Sequence, residues 1–122
     1  MQNPNLTPEQ RDVLFNKATE APFTGKFLNV HQNGTYMCAN CGATLFTSTH
    51  KYSSDCGWPS FDDSADGAIN YTVDESHGMV RTEVTCATCG GHLGHLFNDG
   101  PRETTGKRYC INSLALDFTP AP

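Results

Sequence analysis

The chain has 122 residues, a length that fits one compact domain. Eight basic against thirteen acidic side chains give a net charge of −5, which argues against a nucleic-acid binder, because such proteins carry a basic patch or stripe. No apolar run approaches the roughly 20 residues of a membrane span, and Met1-Gln2-Asn3-Pro4-Asn5-Leu6 lacks the basic-then-apolar order of a signal peptide, so a cytoplasmic protein is expected.

Residues 1–6 read as a flexible tail, and residues 7–122 as a single domain. Thr7-Pro8-Glu9-Gln10 is a helix start: Thr7 caps, Pro8 suits the first helical position and Gln10 completes a capping box. The helix is expected to reach Ala18, with Val13, Leu14 and Ala18 inward, and to be ended by Ala21-Pro22, because a residue before proline avoids helical geometry. Asn33-Gly34 signals a turn into a strand at Thr35–Met37. Ile69–Val73 is a further strand. Over Met79–Thr85 the alternation puts Val80, Thr82 and Val84 on one face and Arg81 and Glu83 on the other. His92–Phe97 and Arg108–Asp117 supply more strand, the latter with a break. Eleven glycines and seven prolines separate these short elements. The pattern predicts a mainly β fold, an antiparallel sandwich or open barrel, with a short N-terminal helix.

The six cysteines are the strongest signal. Two units repeat: Cys38-Ala39-Asn40-Cys41-Gly42 and Cys86-Ala87-Thr88-Cys89-Gly90. Two intervening residues let both thiolates of a unit face one ion, and the following glycine allows a tight turn. Four thiolates suit tetrahedral Zn²⁺ and leave no open position, so a structural zinc is expected at Cys38, Cys41, Cys86 and Cys89. Iron could occupy the same cage. The alternative is two disulfides or two redox pairs, but a thioredoxin-like pair belongs in a βαβ pattern, which neither unit has.

Cys56 and Cys110 are left over. A free cysteine is often only a small buried hydrophobe. Arg108, two positions before Cys110, projects from the same face of a strand, and its charge would lower the thiol pKa. His92 and His95, not needed by the metal, are free for proton transfer or for ordinary hydrogen bonds. Trp58 is the only tryptophan, fixed between Gly57 and Pro59.

At this point the chain resembles the methionine-R-sulfoxide reductase B family. The matching stretches are Pro22-Phe23-Thr24-Gly25, the Cys38 and Cys86 units, Gly57-Trp58-Pro59-Ser60-Phe61, Gly91-His92-Leu93-Gly94-His95-Leu96-Phe97 and Arg108-Tyr109-Cys110-Ile111-Asn112-Ser113. Asp55 stands where the family pattern carries glycine, and Leu114 where a small residue is commoner. The resemblance implies two small antiparallel sheets in a β-tent-like arrangement, stabilised by zinc. It implies Cys110 as catalytic cysteine and Cys56 as resolving cysteine. It places Trp58, His92, His95, Asp99, Arg108 and Asn112 at the substrate site.

The chemistry that follows is reduction of methionine sulfoxide, protein-bound and also free. Cys110 would attack the sulfoxide sulfur with His95, helped by His92, as proton donor. A Cys110 sulfenic acid and then a Cys56–Cys110 disulfide would form, and thioredoxin would recycle it. A monomer is expected. Three other readings compete. A zinc-ribbon interaction module leaves Cys110 and the histidines unexplained. A ligand-binding domain needs no second cysteine, and a general disulfide oxidoreductase needs neither zinc nor Trp58.

Overall fold

A computed structural model describes residues 2–121, so Met1 and Pro122, the outer ends of the expected tail and domain, lie outside the described residues. Helix α1 spans Pro8–Asn16. Its capping box forms as the sequence predicts: Gln10 N–H donates to Thr7 Oγ1 at 3.2 Å, and Thr7 N–H donates to Gln10 Oε1 at 2.9 Å. Such a cap is worth about 1 kcal/mol. The helix stops two residues before the expected Ala18. Lys17 adopts a left-handed conformation at φ 59°, and Ala18 N–H turns back to the Asp12 carbonyl at 3.0 Å. The C-cap therefore ends the helix before Ala21-Pro22 is reached. Val13 and Leu14 are buried, and Ala18 packs half-buried against the core. Part of the stretch expected to be a loose tail is held. Leu6 joins the core, and Asn3 N–H donates to Asn40 Oδ1 at 2.6 Å.

Among the described residues nine strands form two antiparallel sheets, the architecture the sequence predicts, and neither sheet closes into a barrel. The smaller has three strands in the order β2-β1-β9, with β1 Gly34–Cys38, β2 Thr44–Thr47 and β9 Leu116–Pro120. The larger runs β3-β4-β8-β7-β6-β5. Its members are β3 Lys51–Tyr52, β4 Ser60–Phe61, β5 Ile69–Asp74, β6 Arg81–Cys86, β7 His92–Phe97 and β8 Arg108–Ile111. The break expected within 108–117 is a short 3-10 turn at Ser113–Ala115, which sends the chain from the large sheet to the small one. The expected strand at 79–85 starts late. Val80 lies outside it and is 80 % exposed, whereas Glu83, on the face opposite Val84, is buried.

The sheets meet through aromatic rings. Phe46 of β2 stacks on Phe61 of β4 at 4.3 Å and touches Tyr109 of β8 at 5.7 Å, while Tyr36 of β1 meets Phe61 edge-on at 5.1 Å. Each such pair adds about 0.5–1.5 kcal/mol to simple burial. Strand β8 shows the resulting division of faces. Tyr109 and Ile111 point into this core, so Arg108 and Cys110 must point to the other side of the large sheet. That other side carries the candidate site.

Candidate active site and metal centre

The four cysteines of the two repeated units come together. All four Sγ atoms lie within 4.8 Å of one another, with Cys38–Cys89 at 3.6 Å and Cys41–Cys86 at 3.5 Å. A Zn–S distance of about 2.3 Å gives tetrahedral S–S edges of about 3.8 Å, so the cage fits such an ion. The two units are built alike. Gly42 and Gly90 have φ of 79° and 77°, and their N–H groups donate back to the Cys38 and Cys86 carbonyls at 2.9 and 2.7 Å. One unit closes the β1–β2 hairpin of the small sheet and the other the β6–β7 hairpin of the large sheet, so a metal ion held here would tie the two sheets together.

Cys56 and Cys110 also meet, at 3.4 Å between sulfurs. Cys110 sits on β8, paired with Ser60 of β4 on one side and His95 of β7 on the other. Cys56 is carried in by the loop between β3 and β4. Asp55 and Gly57 both have positive φ there, 62° and 95°. Asp55, where the family pattern has glycine, thus stands in a left-handed conformation that costs most side chains roughly 1–2 kcal/mol and that Asp and Asn tolerate best. Cys56 Sγ also touches the Trp58 carbonyl at 3.4 Å and Ser60 Oγ at 3.3 Å.

The proximity decides the electrostatics. The hydrogen bond from Cys110, with smaller help from Ser54, Ser60 and the Trp58 carbonyl, pulls the Cys56 thiol down to about 4 against the opposing effect of burial. The same bond, together with burial, pushes Cys110 up, while Arg108 acts on it in the lowering sense. Arg108 was expected to lower Cys110 outright; the second thiol outweighs it. One proton shared by two sulfurs belongs to the pair, which gives up its first proton easily and holds the second.

Around the sulfurs lies an open cavity of about 230 Å³. Of the residues predicted from sequence, Cys56, Trp58, His95, Arg108, Cys110 and Asn112 line it, joined by Thr19, Arg81, Gly94 and Phe97. His92 and Asp99 stand behind this lining. Asp99 takes a forked pair of bonds from Arg108, at 2.7 and 3.2 Å, and the guanidinium lies 4.4 Å over the Phe97 ring. That fork holds the Asp99 carboxyl below its ordinary value.

The two histidines share a face because β7 carries an extra residue. Val84 pairs with Gly94, but Thr85 pairs with His92, so Leu93 is a bulge against β6. His92 and His95 consequently lie on the same side, with ring centroids 5.6 Å apart. Gly94 also lets β8 approach, since a Cβ there would collide with the Cys110 carbonyl. Each imidazole has its own carboxylate, and neither carboxylate was identified from sequence. Glu83 Oε2 meets His92 Nδ1 at 2.8 Å, both side chains 4 % exposed, and Lys17 caps Glu83 at 3.2 Å. Burial nonetheless holds the His92 pKa down. Asp74 Oδ2 meets His95 Nε2 at 2.7 Å and Arg81 at 3.4 Å, and the histidine bond holds the Asp74 carboxyl well below its usual range. The alternation that put Arg81 and Glu83 on one face was the available signal for this cluster.

The geometry makes a separate prediction for Arg108. In a Cys56→Ser background, which removes the competing thiol, Arg108→Ala should raise the Cys110 pKa and slow its alkylation near neutral pH. Alkylation rate against pH measures this; an unchanged profile would show that another group sets the thiolate.

A pair of touching thiols in an open pocket, on a β fold with a separate four-cysteine cage, defines a thiol-dependent oxidoreductase. Residues 6–120 match the SelR domain family, and the chain belongs to that family. It is 56 % identical over 116 residues, 94 % of this chain and 87 % of the relative, to the peptide methionine sulfoxide reductase MsrB of Chromohalobacter salexigens. It is 57 % identical over 114 residues, 93 % of this chain and 86 % of the relative, to the protein of the same name from Leptospira interrogans. Among solved structures, the Mis18 "Yippee-like" domain shares the fold alone, with a TM-score of 0.59 at 17 % identity over 75 % of this chain and 99 % of that one.

Proposed function

We infer that this chain is a peptide-methionine (R)-S-oxide reductase that repairs oxidised methionine through Cys110 and Cys56. The observation that carries the reading is the 3.4 Å contact of these sulfurs inside the pocket lined by Trp58, His95 and Arg108, in a chain of this family. Cys110 passes the proton it shares with Cys56 to the Cys56 sulfur and attacks the sulfoxide sulfur as thiolate. His95 gives a proton to the sulfoxide oxygen, which passes as hydroxyl to the Cys110 sulfur as the S–O bond and the transient S–S bond break, so that Cys110 becomes a sulfenic acid and the methionine thioether is released. Asp74 orients His95 for this step, and Glu83 fixes His92 behind it. Cys56 then attacks the sulfenic sulfur, water leaves, and the Cys56–Cys110 disulfide remains. A dithiol protein of the thioredoxin type returns both thiols by exchange. Trp58 receives the substrate methyl, and Asn112, Arg108 and Asp99 complete the binding site.

The cage at Cys38, Cys41, Cys86 and Cys89 suits a structural zinc ion, whose chemistry is to hold the fold, and no step passes through it. No helix among the described residues is long and apolar enough to cross a membrane. A monomer in the cytoplasm, acting on protein-bound and free sulfoxide without nucleic acid, is the setting proposed. The test is thiol titration before and after addition of each separate methionine sulfoxide epimer. The R epimer should consume two thiols per chain and release one methionine, and the S epimer should do neither. Loss of thiols without methionine would favour a general disulfide oxidoreductase.

A further inference from the structure

Glu20 is a buried carboxylate that the chemistry above does not use. It is 7 % exposed, and it enters none of the ion pairs among the described residues. Burial pushes its carboxyl up. Placing such a group in the interior costs free energy, so its surroundings matter.

Those surroundings tie three distant parts of the site. Leu114 N–H donates to Glu20 Oε1 at 2.9 Å. Glu20 N–H donates to Asn112 Oδ1 at 3.0 Å, and Asn112 Nδ2 donates onward to the Leu93 carbonyl of the bulge at 3.0 Å. The Glu20 carbonyl accepts from Trp58 Nε1 at 3.0 Å, the one hydrogen bond of that indole among the described contacts. Gly25 lies over the carboxylate, where a Cβ would collide with Glu20 and Ser113. Three residues after Glu20, Phe23 N–H donates to the Gly57 carbonyl at 2.7 Å, next to Trp58. Residues 20–25 thus form a strap from the end of β8 to the Trp58 loop, pinned at its start by a side chain.

We propose that Glu20 is a positioning residue: its carboxylate, anchored on Leu114 N–H, fixes the backbone whose carbonyl aims the Trp58 indole and whose N–H orients Asn112. It touches neither sulfur and is not part of the cavity lining. The assignment rests on the reading of Trp58 as the wall for the substrate methyl. A loosened indole weakens substrate contact while the thiols keep their own geometry, so KM should move more than the rate of chemistry.

Trp58 is the only tryptophan, so its fluorescence reports on this contact without any turnover. In Glu20→Ala the emission should shift to the red and become more open to acrylamide quenching. KM for methionine sulfoxide should rise roughly tenfold, equivalent to ~1.4 kcal/mol, while alkylation of Cys110 in a Cys56→Ser background is unchanged. Glu20→Gln keeps an acceptor for Leu114 N–H and should stay within about twofold of the parent, as expected if geometry rather than charge is at work. If Glu20→Ala does not fold, Glu20→Asp, too short to reach Leu114 without moving the strap, carries the same readouts. Parent-like emission and KM in the alanine or aspartate variant would overturn the proposal, as would equal disturbance by glutamine. If the parent protein itself failed to reduce sulfoxide, the functional reading would fall, and the fluorescence would still decide whether Glu20 sets Trp58.

Discussion

Cys110→Ser should abolish methionine release even in a single turnover. A serine hydroxyl at this position has no activating base matched to it and is a poor nucleophile at neutral pH. Cys56→Ser should behave differently, because the first bond is made by Cys110 alone. About one methionine per chain should still form, since the sulfenic acid precedes any disulfide. Multiple turnover with thioredoxin should then fail or slow greatly, for no intramolecular disulfide is presented to it. A small thiol such as dithiothreitol reaches the sulfenic acid directly and should restore turnover. The coupling of the two sulfurs adds a second expectation. With Cys56 gone, the bond that pushes Cys110 up is lost, and Arg108 becomes the nearest fixed charge acting on it. Quenched single-turnover release and steady-state assays on each reductant make the comparison. Methionine release by Cys110→Ser would remove the central assignment, and normal thioredoxin-driven turnover by Cys56→Ser would remove Cys56 as resolver.

Loss of the four-cysteine cage should have an effect of similar size on stability. Structural zinc in small peptides contributes about 10–16 kcal/mol of apparent binding free energy, against about 5–15 kcal/mol for the whole stability of a typical domain. Here the cage brings together hairpins from two separate sheets, so removing one ligand would weaken that link as well as the grip on a metal ion. Cys38→Ser and Cys89→Ser should each give insoluble or metal-poor protein, measured by metal content and by soluble yield. Full zinc occupancy with parental stability in either variant would contradict the assignment. The aromatic contacts between the sheets remain in these variants, so a soluble, partly ordered product with a lowered Tm is the mildest outcome consistent with it.

The cage was legible because Cys-x-x-Cys-Gly is a local pattern, and the two units needed only the fold to bring them together. The helix start was equally local. The helix end was not, because nothing at Lys17 marks a left-handed residue as glycine would. Strand β6 showed itself through alternation, and β1, β5, β7, β8 and β9 were also read as strand, whereas β2 has four residues and β3 and β4 two each, too few for a period to register. The site divides in the same way. Cys56, Trp58, His95, Arg108, Cys110 and Asn112 were named from motifs, and they surround one cavity. Asp74, Glu83 and Glu20 were not named because their partners are cross-strand or long-range: Glu20 meets residues 92 and 94 positions away. The direction of the Cys110 shift was missed for a related reason. Arg108 is visible two residues away in sequence, but the nearer thiol comes from 54 positions off.

Leu93 gives β7 one residue more than β6 can match. Two histidines three apart are, in a helix, neighbours on one surface; in a regular strand they would face opposite sides. The bulge lets a β-strand display what looks like a helical signature. Deleting Leu93 would restore even pairing with His92 still opposite Thr85 and the two histidines two apart on one face, so what the deletion removes is the buried leucine and not the histidine pair.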